Sequence, residues 1–364
     1  MECLLITVAL FLAFGNGAND NFKGFATVWG SDSLSYRQAL VLATLATAAG
    51  SLLSLVLAQG LVQQFSGKGL LPQVLVETPH FLASVGLGAA LTVIIATRAG
   101  LPISTTHALI GGLVGAGLAA NPEQLQFAKL GNTFVLPLLL SPMLAAGLGL
   151  LVYRLLRMWP IQTDCACIAA PTPAPMVTTS DAVLQHATIP RLVLASDADC
   201  NRSKTLQRSM LLRLSIPRVL DQLHIFSASL ICFARAVNDT PKLAALLAAS
   251  RMLSPRASLV MMAAAMTLGG LLLSRRVAET MSQRVTRMDP TQGLSANLIT
   301  AALVLMASQF ALPVSTTHVS VGAIAGVGAG TGTLNGGALR TILLSWLATL
   351  PLAGCMAWLT FKLI

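Results

Sequence analysis

The sequence predicts an all-α polytopic membrane protein: two inverted-topology repeats of about five transmembrane helices each, with half-helices or hairpins at the bilayer midplane. Composition, the spacing of apolar runs and an internal repeat carry this prediction. Of 364 residues, 55% are hydrophobic and only 10% are charged, against about 25% charged in an ordinary soluble domain. Mean hydropathy is +0.75. Such a composition excludes a disordered chain, a collagenous chain and an ordinary soluble enzyme. At about 20 residues per crossing, the length allows about ten crossings and no large extramembrane domain.

Apolar runs fall near residues 3–14, 38–62, 81–98, 103–120 and 130–153, and again near 219–236, 257–274, 294–311, 314–333 and 338–361. Each is long enough, or nearly so, to span. The first run is read as a span and not a signal peptide: it lacks a basic flank and a small-residue cleavage site, and polar Gly15–Asp20 follows it directly. Residues 239–252, and the stretch after Asp20, read as a hairpin or half-helix. Between the two series lies 158–217, rich in Pro, Thr, Ser and Asp and without sustained periodicity. It reads as a solvent-exposed linker. The expected organisation is an N-terminal repeat, 1–157, the linker 158–217, and a C-terminal inverted repeat, 218–364.

The formal net charge of +10 does not point to nucleic acid, because the basic residues sit in short connections between apolar runs. Arg154, Arg157, Arg191, Arg202, Lys204, Arg208, Arg213 and Arg218 lie in or beside the linker. Positive-inside bias places it in the cytoplasm of a plasma (inner) membrane protein, and five preceding crossings put the N-terminus outside. The connection 275–293, with Arg275, Arg276, Arg284 and Arg287, should then be cytoplasmic, and 63–80, with Lys68, outside. Arg251 and Arg256 run against this rule. The six cysteines, Cys3, Cys165, Cys167, Cys200, Cys232 and Cys355, contain no C-x-x-C pair and no Cys/His cluster, so no zinc or redox site and no cofactor is expected.

Leu101-Pro-Ile-Ser-Thr-Thr-His107 matches Leu312-Pro-Val-Ser-Thr-Thr-His318, and Gly111, Gly115 and Gly117 match Gly322, Gly326 and Gly328, all at an offset of 211 residues. Ala18-Asn-Asp20 with Lys23 matches Val237-Asn-Asp239 with Lys242 at an offset of 219. Because five crossings per half is odd, the second half must enter the membrane upside down. Inverted repeats of this kind imply alternating access around a midplane site.

The Pro-x-Ser-Thr-Thr segments carry the chemistry. Proline ends one helix, a hydroxyl caps the next, and the new helix presents free N–H groups and a positive dipole end at membrane depth. Two copies facing each other would offer Ser104, Thr105, Thr106, Ser315, Thr316 and Thr317 to one tetrahedral oxyanion, for which phosphate is the best-attested guest. A capped, broken helix without ligand is the plainer alternative. Asp20 and Asp239 are costly inside a span. Beside the hard carbonyl oxygens of Asn19 and Asn238 they suit Na+ or a proton, or else they cap half-helices at the interface. Lys23 and Lys242, three residues on, share a helix face with the aspartates. They read equally as internal ion-pair partners and as positive charge for an anion or stand-ins for a cation. Arg235 is a further cationic candidate, whose counterpart in the first half is Asn16. His107 and His318 read first as structural hydrogen-bonders. The glycine pairs at i, i+4 read as close helix packing. Asp197-Ala-Asp199-Cys-Asn201 opens like a calcium loop but has Arg202 and Arg208 where Gly and Glu are needed. A hydrolase reading of Ser-Thr-Thr-His needs a positioned base and gains nothing from inverted duplication.

Together, Gly17-Ala-Asn-Asp20, Val237-Asn-Asp239 and the paired Pro-x-Ser-Thr-Thr-His segments resemble the inorganic phosphate transporter (PiT) family. The resemblance covers both membrane halves and not 158–215. It implies a secondary transporter driven by Na+ or H+, with phosphate contacts from the six Ser/Thr residues and cation and phosphate roles for Asn19, Asp20, Asn238 and Asp239, Na+ being placed at Asp20 and Asp239. The family usually has Asn where this chain has Lys23 and Lys242, and often Glu or Gln where Gly293-Leu-Ser-Ala-Asn297 ends in Asn297, a further coupling-cation candidate. An Asn-to-Lys change replaces a neutral ligand with a fixed cation and weakens the case for Na+. The expectation is therefore import of inorganic phosphate, with a sulfate permease and a passive anion channel as rivals. The bilayer is the expected surroundings, and glycine-rich faces are compatible with a homodimer.

Overall fold

The computed structural model describes residues 1–67, 69–158, 165–169, 191–195, 210–247, 252–283 and 288–364. Lys68, Arg251, Arg284, Arg287, the calcium-loop-like segment and most of 158–217 lie outside the described residues.

Among the described residues ten principal helices follow one another as two sets of five. The first set is α1 (Glu2–Asp20), α2 (Tyr36–Leu57), α3 (Pro79–Arg98), α4 (Thr105–Ala120) and α5 (Leu136–Met158). The second is α6 (Ile216–Ala244), α7 (Pro255–Leu273), α8 (Pro290–Gln309), α9 (Thr316–Thr331) and α10 (Gly336–Leu363). The starts of α2, α3, α4, α7, α8, α9 and α10 are fixed by side-chain caps. Ser35 and Asp289 form capping boxes with Gln38 and Gln292, and Thr78 and Ser254 cap helices that open on proline. Among the described residues seven helical stretches are long and apolar enough to cross a bilayer. The chain is thus a multi-pass membrane protein whose membrane part is all-α. Helices α4 and α9 have only sixteen residues each. At 1.5 Å per residue they reach about 24 Å, short of the roughly 30 Å hydrocarbon core, so neither spans it alone.

Residues Met1–Arg154 with His224–Ile364 form one compact unit, and Leu155–Leu223 a second. The second contains an antiparallel sheet in the order β2-β1-β3, from β1 (Cys165–Ala169), β2 (Arg191–Ala195) and β3 (Met210–Ser215). The sequence reading took this segment as a linker without regular structure. Its strands are five or six residues long, too short for a period-2 signal to stand out among the prolines.

Helix contacts within the first unit recur in reciprocal pairs. A Cβ on Gly50 of α2 would meet the carbonyl of Phe233 in α6 at 2.3 Å, and one on Gly269 of α7 the carbonyl of Phe14 in α1 at 1.9 Å. Gly50/Gly269 and Phe14/Phe233 are each separated by the 219-residue offset. Likewise Gly111 and Gly115 of α4 abut Leu350 and Gly354 of α10, while Gly322 and Gly326 of α9 abut Pro142 and Ala146 of α5. The glycines therefore serve close packing, each half leaning on the other. Gly30 touches Ser282, and Arg276 Nη1 donates to Arg98 O (2.7 Å), so the ends of α3 and α7 meet on one face.

Candidate functional site

The site forms where α1 and α6 end and the Pro-x-Ser-Thr-Thr segments begin. Ser104 and Ser315 are the N-caps of α4 and α9, their Oγ atoms accepting from His107 N (3.1 Å) and His318 N (3.3 Å). Pro102 and Pro313 each lie two residues before the cap, and the cap residues themselves are extended. Asn19 clamps the first segment to α1: its Nδ2 donates to Thr97 Oγ1 (2.9 Å) and Leu101 O (3.0 Å), and its Oδ1 accepts from Ile103 N (3.2 Å). Asn238 repeats this with Ser308, whose Oγ donates to Asn238 Oδ1 (3.1 Å), and with Val314 O (3.3 Å). Thr97 and Ser308 were missed in the sequence reading, although the 211-residue offset relates them.

Between these clamps lies a buried charged cluster. Lys23 Nζ binds Asp20, Thr317 Oγ1 and Ile103 O, the last at 2.8 Å. Lys242 Nζ binds Val314 O (2.7 Å), Thr106 Oγ1 (2.9 Å) and Asp239 Oδ1 (3.4 Å). Each lysine thus ties its own half to the threonine of the other. Asn16 Nδ2 lies 3.1 Å from both Asp20 Oδ2 and Asp239 Oδ2 and 3.0 Å from Thr105 Oγ1, sharing two protons among three acceptors. Arg235, fully buried, donates to Asn16 Oδ1 and Thr47 Oγ1, both at 2.9 Å, and lies 3.9 Å from Asp239 Oδ2. Asn16 and Arg235 are central to the cluster. The sequence reading offered Arg235 as a further cationic candidate and named Asn16 only as the residue standing opposite it.

Counted by formal charge, three cationic side chains face two carboxylates, an excess of one positive charge. Burial removes the water that would otherwise screen it. Most hydroxyls are already committed: Thr105 Oγ1 donates to Asp20, Thr106 Oγ1 to Val314 O and Thr317 Oγ1 to Ile103 O. Arg235 Nε and Thr316 Oγ1, by contrast, are buried and have no hydrogen-bond partner among the described residues. Both can donate.

Asn297 is placed elsewhere. Its Oδ1 accepts from Thr27 Oγ1 (3.2 Å), its Nδ2 donates to Ser227 Oγ (3.2 Å), and Thr27 also bonds His224 Nε2 (2.9 Å). It lies in the middle of α8, and that helix does not bring it to the carboxylate pair through any of these bonds. The His107 and His318 rings meet edge to face at 4.4 Å, and His318 stacks on Trp346 at 3.8 Å. A cavity of about 670 Å3, lined by Thr97, Arg98, Leu272, Leu273, Arg275, Arg276 and Glu279, adjoins the Asn19 clamp through Thr97.

A multi-pass membrane protein with a buried, doubly built charged centre is the class that this fold and site define. The sequence profile of the phosphate transporter family matches residues 16–357. The chain belongs to that family of transporters, and the hydrolase reading of Ser-Thr-Thr-His falls away. It is 26% identical to a Pyrococcus abyssi protein provisionally assigned as a phosphate permease, over 99% of this chain and 97% of that one. It is also 26% identical to the chloroplastic inorganic phosphate transporter 2-1 of Arabidopsis thaliana, over 97% and 71%. A sodium-dependent phosphate transporter of Plasmodium falciparum is 37% identical over 43% of this chain and 24% of its own length. A solved sodium-dependent phosphate transporter shares the fold, with TM-score 0.77 and 22% identity over 100% of this chain and 98% of that one.

Proposed function

We propose that this protein imports inorganic phosphate across the plasma (inner) membrane as a secondary active transporter coupled to a cation, Na+ or H+. The observation that carries the reading is the excess positive charge at two helix starts, with Arg235 Nε–H and the Thr316 hydroxyl left to donate. Asn19, Asn238, Lys23, Lys242 and the Ser/Thr residues 104–106 and 315–317 build the anion site, some by contact and some by holding the contacting groups. Asp20 and Asp239 supply the negative charge that draws a cation, diffusible or tethered, to the centre. Halves 1–157 and 218–364 act as inverted repeats that rock about this centre, joined through a cytoplasmic 158–217, with the N-terminus outside. Reciprocal packing of α4 on α10 and α9 on α5 supports that relation. In this reading the arginine-lined cavity is the cytoplasmic vestibule, and its guanidinium groups favour an anion there.

A sulfate permease is the second reading. It is favoured by two facts: the unpartnered Arg235 Nε can only donate, and both carboxylates already hold cations. Radiolabelled phosphate uptake into proteoliposomes, with Na+ and pH gradients imposed separately and unlabelled sulfate as competitor, tests both. Concentrative phosphate uptake under one gradient is expected. Accumulation of labelled sulfate without phosphate uptake would transfer the site to sulfate, and unsaturable, gradient-independent flux would indicate a channel.

A further inference from the structure

We propose that Lys23 and Lys242 are tethered counter-cations occupying the two cation cages of the centre, so that Na+ neither binds there nor drives transport. This rests on the reading of the centre as the transport site. The argument starts from the oxygens around each ammonium. Lys23 Nζ meets a carboxylate (Asp20), a backbone carbonyl (Ile103) and a hydroxyl (Thr317). Lys242 Nζ meets the same three kinds: Asp239, Val314 and Thr106. Carboxylate, carbonyl and hydroxyl oxygens are the donor set of a hard cation. Each cage draws two oxygens from its own half and one from the other, as expected of a cation that couples the halves.

An ammonium has three N–H donors, and each cage supplies three acceptors. The lysines are saturated, and they are 2% and 1% exposed. A Na+ ion entering either cage must displace an ammonium that has nowhere wet to go. Beyond its cage Lys242 has the face of the Phe65 ring, 5.5 Å from the centroid, a weaker partner than the three oxygens it would give up. Covalent attachment also changes what the charge can do. A diffusible cation enters with the substrate and leaves with it, thereby coupling its gradient to transport. A lysine stays, so its charge offsets the aspartate in every state and transmits no gradient. With both aspartates offset in this way, Arg235 remains as the charge available to an anion.

Equilibrium binding of 22Na+ to the purified full-length protein in detergent tests this without any substrate. No saturable binding is expected from the wild type, and saturable binding would overturn the proposal. In proteoliposomes held at one pH gradient, replacing Na+ by choline should leave phosphate uptake unchanged, and a drop of about tenfold or more would overturn it as well. The double variant Lys23→Asn with Lys242→Asn, which keeps an oxygen at each position, should gain saturable 22Na+ binding. A double variant with an intact gel-filtration profile that still binds none would show that the cages are not cation sites. Should it not fold, Lys242→Asn alone takes its place, since one cage is then left intact. A protein that carries neither phosphate nor sulfate would defeat the transport reading, whereas the 22Na+ result decides this proposal independently.

Discussion

Positions 16 and 235 are equivalent under the 219-residue offset, yet one is Asn and the other Arg, and the two touch: Arg235 Nη1 donates to Asn16 Oδ1. This breaks the symmetry of the centre. Asn16 reaches Thr105, whereas Arg235 leaves the equivalent Thr316 without a partner among the described residues. Thr316→Val should therefore change thermal stability by no more than about 0.5 kcal/mol. It should weaken phosphate binding by about tenfold or more, since a hydrogen bond to a charged group is worth about 1.5–3 kcal/mol. Thermal melts alongside isothermal titration would check both halves of that statement. Thr106→Val behaves differently, because it removes a partner of Lys242. Leaving a buried charge short of an acceptor should lower stability by about 1–3 kcal/mol before any effect on binding. Arg235→Lys keeps the charge but loses the fork that spans Asn16 and Thr47. The melting temperature should fall, and phosphate affinity should fall less than in Arg235→Gln; equal losses of affinity would mean that the charge itself is not what the anion meets.

Among the elements, the short helices α4 and α9 are defined by what precedes and what packs on them. Their starts were legible: Pro-x-Ser-Thr-Thr was read as a helix break followed by a capped start, and Ser104 and Ser315 are the caps. Their packing partners were not. The glycine spacing indicated a close approach but could not say that α4 meets α10 while α9 meets α5, because a ridge of small residues fits any helix of matching shape. A Cβ at Gly115 would lie 2.0 Å from Gly354 O, and one at Gly326 2.1 Å from Ala146 O. Gly115→Ala and Gly326→Ala should each destabilise by about 1–3 kcal/mol or more. Gly147, in α5, has nothing within 4 Å of such a Cβ, so Gly147→Ala should stabilise by about 0.5–1 kcal/mol through helix propensity. Melting curves of the three variants in one detergent make the comparison. Similar losses at positions 115 and 326 would also support the equivalence of the two halves.

For the whole molecule, the side of each connection is the quantity to measure. Arg276 bonds Arg98 O and Gly30 touches Ser282, so the connections after α3 and α7 share a face with the start of residues 31–35. If that face is cytoplasmic, cysteines introduced at Asp32 and Glu279 should resist a membrane-impermeant thiol reagent in intact cells, in a background without Cys3 and Cys355, which are exposed. An N-terminal tag should be accessible from outside. Labelling of Asp32→Cys from outside would reverse the topology.

Membrane residence, the two sets of five helices, the capped starts of α4 and α9 and the family were determined by the sequence alone. Composition, run length and motif spacing are local or additive properties, and a repeated motif shows itself at any separation. The oxygen that completes each lysine cage was decided by the tertiary structure. A spacing of three residues offered Asp20 as one reading of Lys23's role, but its hydroxyl partner Thr317 is 294 residues away. Tertiary packing also took Asn297 to Thr27 and Ser227 and made Asn16 the bridge between Asp20 and Asp239. Which polar group meets which inside a membrane is set by how two folded halves dock. That docking is a property of shape, to which the periodicity of either half is blind.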